Sequence, residues 1–228
     1  CSDRPPQPTL PTLETGLDDL KIALLTDHFE QGLQPEIASA LAEVVTALGI
    51  SRQVTLPEAA RARAAAYLIT ASEGSQLHLP KLQQRLMDFD PATRDRFLAG
   101  AMIPQSWYLQ AQRLRRWFQT QVRAVFEQVD ILIAPTTPCI APFLNQETMS
   151  IAGTSVLVRP HLGLYTQPLS FIGLPVLSVP VVQAGTLPVG VQIIGSPFQE
   201  AQILRVARWL ETHKIIAPFP YAASATED

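Results

Sequence analysis

"LKIALLTDHFEQGLQPEIASALAEVVTALGISRQVTL" (residues 20–56) decides the fold. The apolar run "LKIALLT" at 20–26 follows a polar stretch and has the length of a buried strand. Pro35 suits the first position of a helix in which Ile37, Leu41, Val44, Val45 and Leu48 share one face, and Gly49 suits its C-terminal cap. "RQVTL" at 52–56 then reads as a second strand. Strand, helix and strand joined by short links form a βαβ unit, whose strands pair in parallel with a right-handed crossover. The predicted class is therefore α/β.

Outward from that unit the same alternation continues. "PEAARARAAAYLITASEGSQLH" (57–78) reads as an Ala-rich helix, and "DPATRDRFLAG" (90–100) as another, with Asp90 as N-cap and Pro91 at the first position. Between 104 and 129, Trp107, Ala111, Leu114, Phe118, Val122, Val125 and Val129 step by three and four, which predicts a long helix with one apolar stripe. "DILIAPTTP" (130–138), "LPVLSVPVV" (174–182) and "VGVQIIG" (189–195) are strand runs. "QEAQILRVARWLE" (199–211) closes the chain as an amphipathic helix with Ile203, Leu204, Ala207 and Leu210 inward. No internal repeat is present.

Bulk composition excludes several functions. The chain has 228 residues, 47% hydrophobic and 16% charged, with a net charge of −3. No Lys/Arg run supplies the footprint of a nucleic-acid or anionic-membrane binder. No apolar run reaches the roughly 20 residues needed to cross a bilayer. Two cysteines, Cys1 and Cys139, make no disulfide framework, which points to a reducing, cytoplasmic setting. The Pro-rich opening, residues 1–16, reads as a linker ahead of one domain over 17–228, and the start on Cys1 as truncation of a longer chain. A lipid-tethered form, acylated at Cys1, is the other reading of that start.

The chemistry-bearing residues are sparse. His28, His78, His161 and His213 show no paired helical spacing and no Cys pair accompanies them, so no metal site is expected. No G-x-G-x-x-G or Walker-type loop is present, and no cofactor is expected. Cys139 in "PTTPCIAP" has the residue type of a thiol nucleophile, but its Pro-bounded strand end reads as a buried small hydrophobe. Ser178 in "VLSVP" reads as a core hydroxyl bonded to backbone. No G-x-S-x-G elbow surrounds any serine.

Two stretches remain. In "YLQAQRLRRWF" (108–118), Arg113, Arg115 and Arg116 crowd a helix, with Arg115 close to the apolar side and Arg116 pointing elsewhere. Either this is a solvated basic face, or Arg115 is a planar fork for a substrate carboxylate. In "LYTQPLSFIGLPVLSVPV" (164–181), Tyr165, Thr166 and Gln167 precede a pre-helical proline, and "GLP" turns the chain into a strand. Polar groups at such a junction face a cleft at the sheet edge.

"DILIAPTTP", the "YTQP…GLPVLSVP" block, "PVGVQIIGSPFQE" and "ILRVARWLE" together resemble, in order and spacing, the C-terminal half of the amidase signature family. "CSDRPP", "TASEGSQLHLP", "DFDPATRDRFLAGA" and "RPHLGLYTQPLSFIGLP" look like its 1-carboxybiuret hydrolase branch. The resemblance implies a mixed sheet wrapped by helices. It also implies amide hydrolysis by a Ser nucleophile, a second Ser in a cis peptide and a Lys, all within a Gly/Ser-rich N-terminal half that this sequence does not contain. None of Lys21, Lys81 or Lys214 matches the family's lysine motif, so no catalytic residue is assigned here. In the related amidase component of the glutamyl-tRNA amidotransferase, an Arg at the place of Arg115 binds the carboxylate of glutamine. An Asp at the place of Gly163 there meets its ammonium. The substrate-binding residues implied are thus Arg115, Gly163, Tyr165, Thr166 and Gln167, for a small urea or amide with a carboxylate and no α-ammonium. The implied partners are the N-terminal amidase half and a small helical protein like the C component of the tRNA amidotransferase. Two other readings stand beside this one: a non-catalytic α/β binding module that kept the cleft wall, and a separate polypeptide completing an amidase with another chain.

Overall fold

A computed structural model describes residues 13–182 and 187–217, and within it the backbone forms two compact units. The linker expectation for residues 1–12, and Cys1 with it, lies outside the described residues. The first unit comprises the chain up to Leu56 and from Arg123 onward, and the second comprises Pro57–Val122.

In the first unit, β1 (Ile22–Leu25), α1 (Pro35–Ala47) and β2 (Arg52–Val54) realise the predicted βαβ unit, with β1 and β2 parallel and Ala23 opposite Arg52. Gly49 follows α1 at φ +62°, a left-handed conformation that glycine adopts without the Cβ penalty. The second unit holds α2 (Ala59–Gln84), α3 (Pro91–Ala101) and most of α4 (Gln105–Phe126). Returning to the first unit, β3 (Ile131–Pro135) pairs in parallel with β1. A hairpin of β4 (Thr148–Ile151) and β5 (Thr154–Leu157) follows, then the short helices α5 (Val158–Leu162) and α6 (Gln167–Ser170). β6 (Val176–Val181), β7 (Val189–Gly195) and α7 (Glu200–Thr212) complete the order.

The main sheet runs β2-β1-β3-β7-β6, with β7 antiparallel to both neighbours, so it is mixed rather than parallel throughout. Alternation decides what each face buries. Ile131, Ile133, Val179, Val181, Val189, Val191 and Ile193 form one apolar face, and Ile37, Ala40, Leu41 and Val44 of α1 with Ile203, Val206 and Leu210 of α7 belong to the same core. Each such large side chain contributes about 1.5–3 kcal/mol by leaving water. β3 is buried at every residue, which explains its unbroken apolar run, because a central strand covered on both sides has no polar-out positions.

The second unit is held by close backbone approach. A Cβ on Gly100 would lie 2.7 Å from the carbonyl carbon of Ala71 and 3.0 Å from Ser75 Cβ, and one on Gly74 would lie 2.7 Å from the Phe97 ring. Glycine at both positions lets α2 and α3 meet without a side chain between them. His78 and Phe89 pack around Phe97, with ring centroids 5.0 and 6.1 Å from it.

Several sequence expectations need correction. The 57–78 helix runs on through Pro80 to Gln84, because the single hydrogen bond that proline removes does not stop a helix braced by the His78–Phe89–Phe97 cluster. Trp107, expected on the apolar stripe of α4, is 55% exposed, while Ala111, Phe118 and Val122 are buried. In α7, Val206 rather than Leu204 is the fully buried residue, since it lies three residues after Ile203 and four before Leu210. The β4–β5 hairpin and the helix α5 carry no sequence signal strong enough to predict them, whereas α6 has Pro168 in its first turn, as the pre-helical proline predicts.

Candidate functional site

The sequence-predicted residues divide between the two units, Arg115 in the second and Gly163, Tyr165, Thr166 and Gln167 in the first. Each group is built by its own neighbours.

The turn between α5 and α6 is anchored from behind. Tyr165 is fully buried and its hydroxyl donates to the Gln31 carbonyl at 2.7 Å. Its ring lies against Phe29 and edge-on to His28, with centroids 6.2 and 6.1 Å away. The His28 Nε2 sits 3.1 Å from the carbonyl oxygen of Leu164, the residue before it. Burial pushes the Tyr165 phenol well above its usual range, and the nearby Cys139 thiol adds to the shift. The family resemblance implies that Tyr165 belongs to the substrate-binding residues. Its side chain instead fixes the turn from the interior, because ring and hydroxyl are both taken up by the residues of 28–31.

The residues flanking Tyr165 do reach the surface. Gly163, Thr166 and Gln167 are part-exposed. The Gly163 carbonyl accepts from the Gln167 N–H at 3.1 Å, and the Thr166 carbonyl accepts from the Ser170 N–H at 2.9 Å. The Gln167 side chain folds back over Gly163, so a Cβ there would lie 2.9 Å from Gln167 Nε2 and 3.0 Å from its Cδ. A carboxamide therefore covers the position at which the resemblance places an aspartate in the amidotransferases. Beyond α6, Gly173 takes φ +78° and turns the chain into β6, as "GLP" predicts.

On β6, Ser178 is exposed, and its Oγ is 2.7 Å from Thr136 Oγ1 rather than on backbone. This corrects the expected core hydroxyl: Ser178 sits on the face of the edge strand opposite Val179 and Val181. Beside the pair, Gly190 leaves room for both hydroxyls, since a Cβ there would lie 2.8 Å from Thr136 Oγ1 and 2.9 Å from Ser178 Oγ. The buried Gln192 donates to the Pro135 carbonyl at 2.7 Å. Cys139 is buried, and burial pushes its thiol up, away from the thiolate that a nucleophile requires.

Arg115 projects from α4 beside a polar network that the sequence does not single out. Its Nε is buried and has no hydrogen-bond partner among the described residues. Four and seven residues earlier on the helix lie Ala111 and Tyr108, and three earlier lies Gln112. The Tyr108 hydroxyl donates to Glu73 Oε1 at 2.8 Å, and Gln112 Nε2 donates to the Tyr108 hydroxyl at 2.9 Å and to Glu73 Oε1 at 3.4 Å. The bond to Glu73 raises the Tyr108 phenol, opposed by the bond from Gln112 and by the Arg115 charge. The 4,3 spacing of 108, 112 and 115 marks a shared helix face in the sequence, but Glu73, on another helix, carries no local sign of its role. Arg113 and Arg116 lie on the same helix, Arg116 exposed.

Among the described residues no group of three or more His, Cys, Asp or Glu could hold a metal ion, and no helix is long and apolar enough to cross a membrane. Two surface hollows of the first unit contain none of the predicted site residues. One is lined by Leu20, Leu48 and Trp209 among others, the second by Lys21, Arg52, Glu127 and Gln128 with Ile22.

Comparison with known proteins assigns the fold and the family. The chain is 42% identical over 213 residues to AtzE of Pseudomonas sp. (strain ADP), a component of 1-carboxybiuret hydrolase, covering 92% of this chain and 47% of that protein. It is 33% identical over 230 residues to the A component of the glutamyl-tRNA(Gln) amidotransferase of Myxococcus xanthus (strain DK1622), covering 87% and 46%. A solved structure described as an unexpected vestigial protein complex, revealing the origins of an s-triazine catabolic enzyme, superposes with a TM-score of 0.91 at 41% identity over 95% of this chain and 48% of that one. A crystal structure of an amidase superposes at 0.77 with 25% identity, over 85% and 45%. The chain thus spans about half the length of the relatives it matches. The family model described as Amidase matches residues 1–204, and with the mixed sheet flanked by helices this places the chain in the amidase signature family.

Proposed function

We propose that this chain is the substrate-reading part of an amidohydrolase that cleaves a C–N bond in a small carboxylated urea or amide, of which 1-carboxybiuret is the type. The nucleophilic Ser, the cis-Ser and the Lys of the family's mechanism belong to the amidase half outside this chain. In that mechanism the serine attacks the amide carbon, backbone N–H groups hold the oxyanion, the amine leaves, and water clears the acyl-enzyme. The residues here bind and orient.

The observation that carries the reading is Arg115, a guanidinium whose Nε is enclosed by protein without a partner. Arginine is always charged in proteins, and its planar fork matches a carboxylate. Gln167 over Gly163 supports the second half of the reading: a neutral amide in that position offers no counter-charge to an α-ammonium. Each observation is read within its own unit, a carboxylate partner for Arg115 and no requirement for an ammonium at Gly163. The small helical protein named above is proposed as a partner on the same footing.

The test is Arg115→Ala in the full-length enzyme, with kcat/KM measured for 1-carboxybiuret and for biuret, which lacks the carboxylate. A charge-assisted hydrogen bond contributes about 1.5–3 kcal/mol, so a loss of about tenfold or more is expected for 1-carboxybiuret alone. An unchanged ratio between the two substrates would overturn the assignment.

A further inference from the structure

The Arg115 stripe raises an electrostatic problem that its neighbours solve. A helix side chain leans toward the N-terminus of its helix, so Arg115 leans toward Gln112 and Tyr108. There its charge acts on the Tyr108 phenol, which is itself bonded to a carboxylate, Glu73. Arg115 and Glu73 would be expected to pair, and a paired arginine is a poor reader of a ligand's carboxylate. They do not pair among the described residues. Glu73 Oε1 instead accepts from both Tyr108 and Gln112, and Arg115 Nε keeps no partner.

Resting on the reading of Arg115 above, we propose that Tyr108 and Gln112 are positioning residues that hold the Glu73 carboxylate away from Arg115, so that the guanidinium stays open to the carboxylate of the substrate. The two donors converge on one carboxylate oxygen. Gln112 also donates to the Tyr108 hydroxyl, which fixes the phenol in the orientation that points its proton at Glu73. Tyr108 is thus both a donor to the acid and an acceptor from the amide, and its removal loosens the whole set. A freed Glu73 then competes with the ligand for Arg115. Such part-exposed competition changes ligand affinity by about five-fold at most.

The experiment is a double-variant cycle in the full-length enzyme with 1-carboxybiuret as substrate. Tyr108→Phe is expected to raise KM about two- to five-fold with kcat within about twofold, and the rise is expected to shrink as salt is added. Glu73→Gln alone is expected to leave KM within about twofold, because a neutral side chain does not compete for Arg115. The double variant Tyr108→Phe/Glu73→Gln is expected to return to the Glu73→Gln value. A role in packing alone predicts the reverse, a double variant at least as impaired as Tyr108→Phe. A KM for Tyr108→Phe equal to the parent, or a raised KM that Glu73→Gln does not rescue, overturns the inference. If Tyr108→Phe does not fold, a large KM rise in Glu73→Gln by itself overturns it, since the acid would then be supporting the ligand site. Arg115→Ala separates the levels. If that variant leaves KM unchanged, the underlying reading fails with this one; if it raises KM while the cycle shows no rescue, only the present inference fails.

Discussion

Replacing Tyr165 by Phe removes one oxygen and nothing else, and the structure sets what that oxygen does. The hydroxyl donates to the Gln31 carbonyl at 2.7 Å, from a residue with no exposed surface. The ring contacts with Phe29 and His28 survive the change. What is lost is one hydrogen bond, and what is left is a part-buried carbonyl without its donor, a cost of about 1–2 kcal/mol. For a chain of this length about 2–4 °C of Tm goes with each kcal/mol, so a fall of about 2–8 °C is expected by circular dichroism. The alkaline limb gives a second signature. The buried phenol holds its proton to higher pH than a free one, which ionises near pH 10. The unfolded state therefore releases a proton first. The contribution is complete below about pH 10 and is lost as pH climbs from there toward the raised folded value. Tyr165→Phe should flatten that loss. A Tm within about 1 °C of the parent, together with an unaltered alkaline slope, would refute the view that this hydroxyl anchors the turn.

Two other perturbations test the packing. Gly100→Ala removes a helix-weakening glycine, a gain of about 1 kcal/mol, but drives a Cβ against the Ala71 backbone, which cannot move aside as a side-chain tip would. The clash should win, with a lower Tm, and an unchanged or higher Tm would show that α2 and α3 separate freely. Cys139, 6% exposed with its thiol pushed up by burial, should react with Ellman's reagent only on unfolding, as read by mass spectrometry of its peptide; rapid native labelling would place it at the surface.

What can be read from the sequence follows from how local each cause is. The βαβ unit, β3, β6, β7 and α7 are legible because each carries its own periodicity and its own stop signal, such as Pro35 before α1 and Gly49 after it. Trp107 and Leu204 are misplaced because a helical stripe predicts which residues share a side, not how far along the helix a neighbour covers it. Tyr165 fails differently. Its position in a polar turn points outward, but Gln31 and His28, more than 130 residues earlier, supply the pocket that takes it in. The Glu73–Tyr108–Gln112 network is half legible, as a spacing on α4, and its acid is not, since only the tertiary fold brings α2 beside it.

The strand order of the main sheet has a consequence for synthesis. β7 lies between β3 and β6, yet β6 leaves the ribosome before β7 does. One flank of β3 therefore stays unpaired after β6 has been made, and β6 must wait one strand's width away from it. The simplest route is that β6 and β7 zip together as an antiparallel pair and dock on β3 as a unit, with Pro135 finding Val191 and Ile131 finding Gly195. That docking joins residues about 60 positions apart and is the kind of non-local closure that folds slowly. Until it happens, a wholly apolar strand edge is on offer to any other chain. The order in which the strands appear thus leaves the nascent chain with an open β3 edge that the completed sheet has closed.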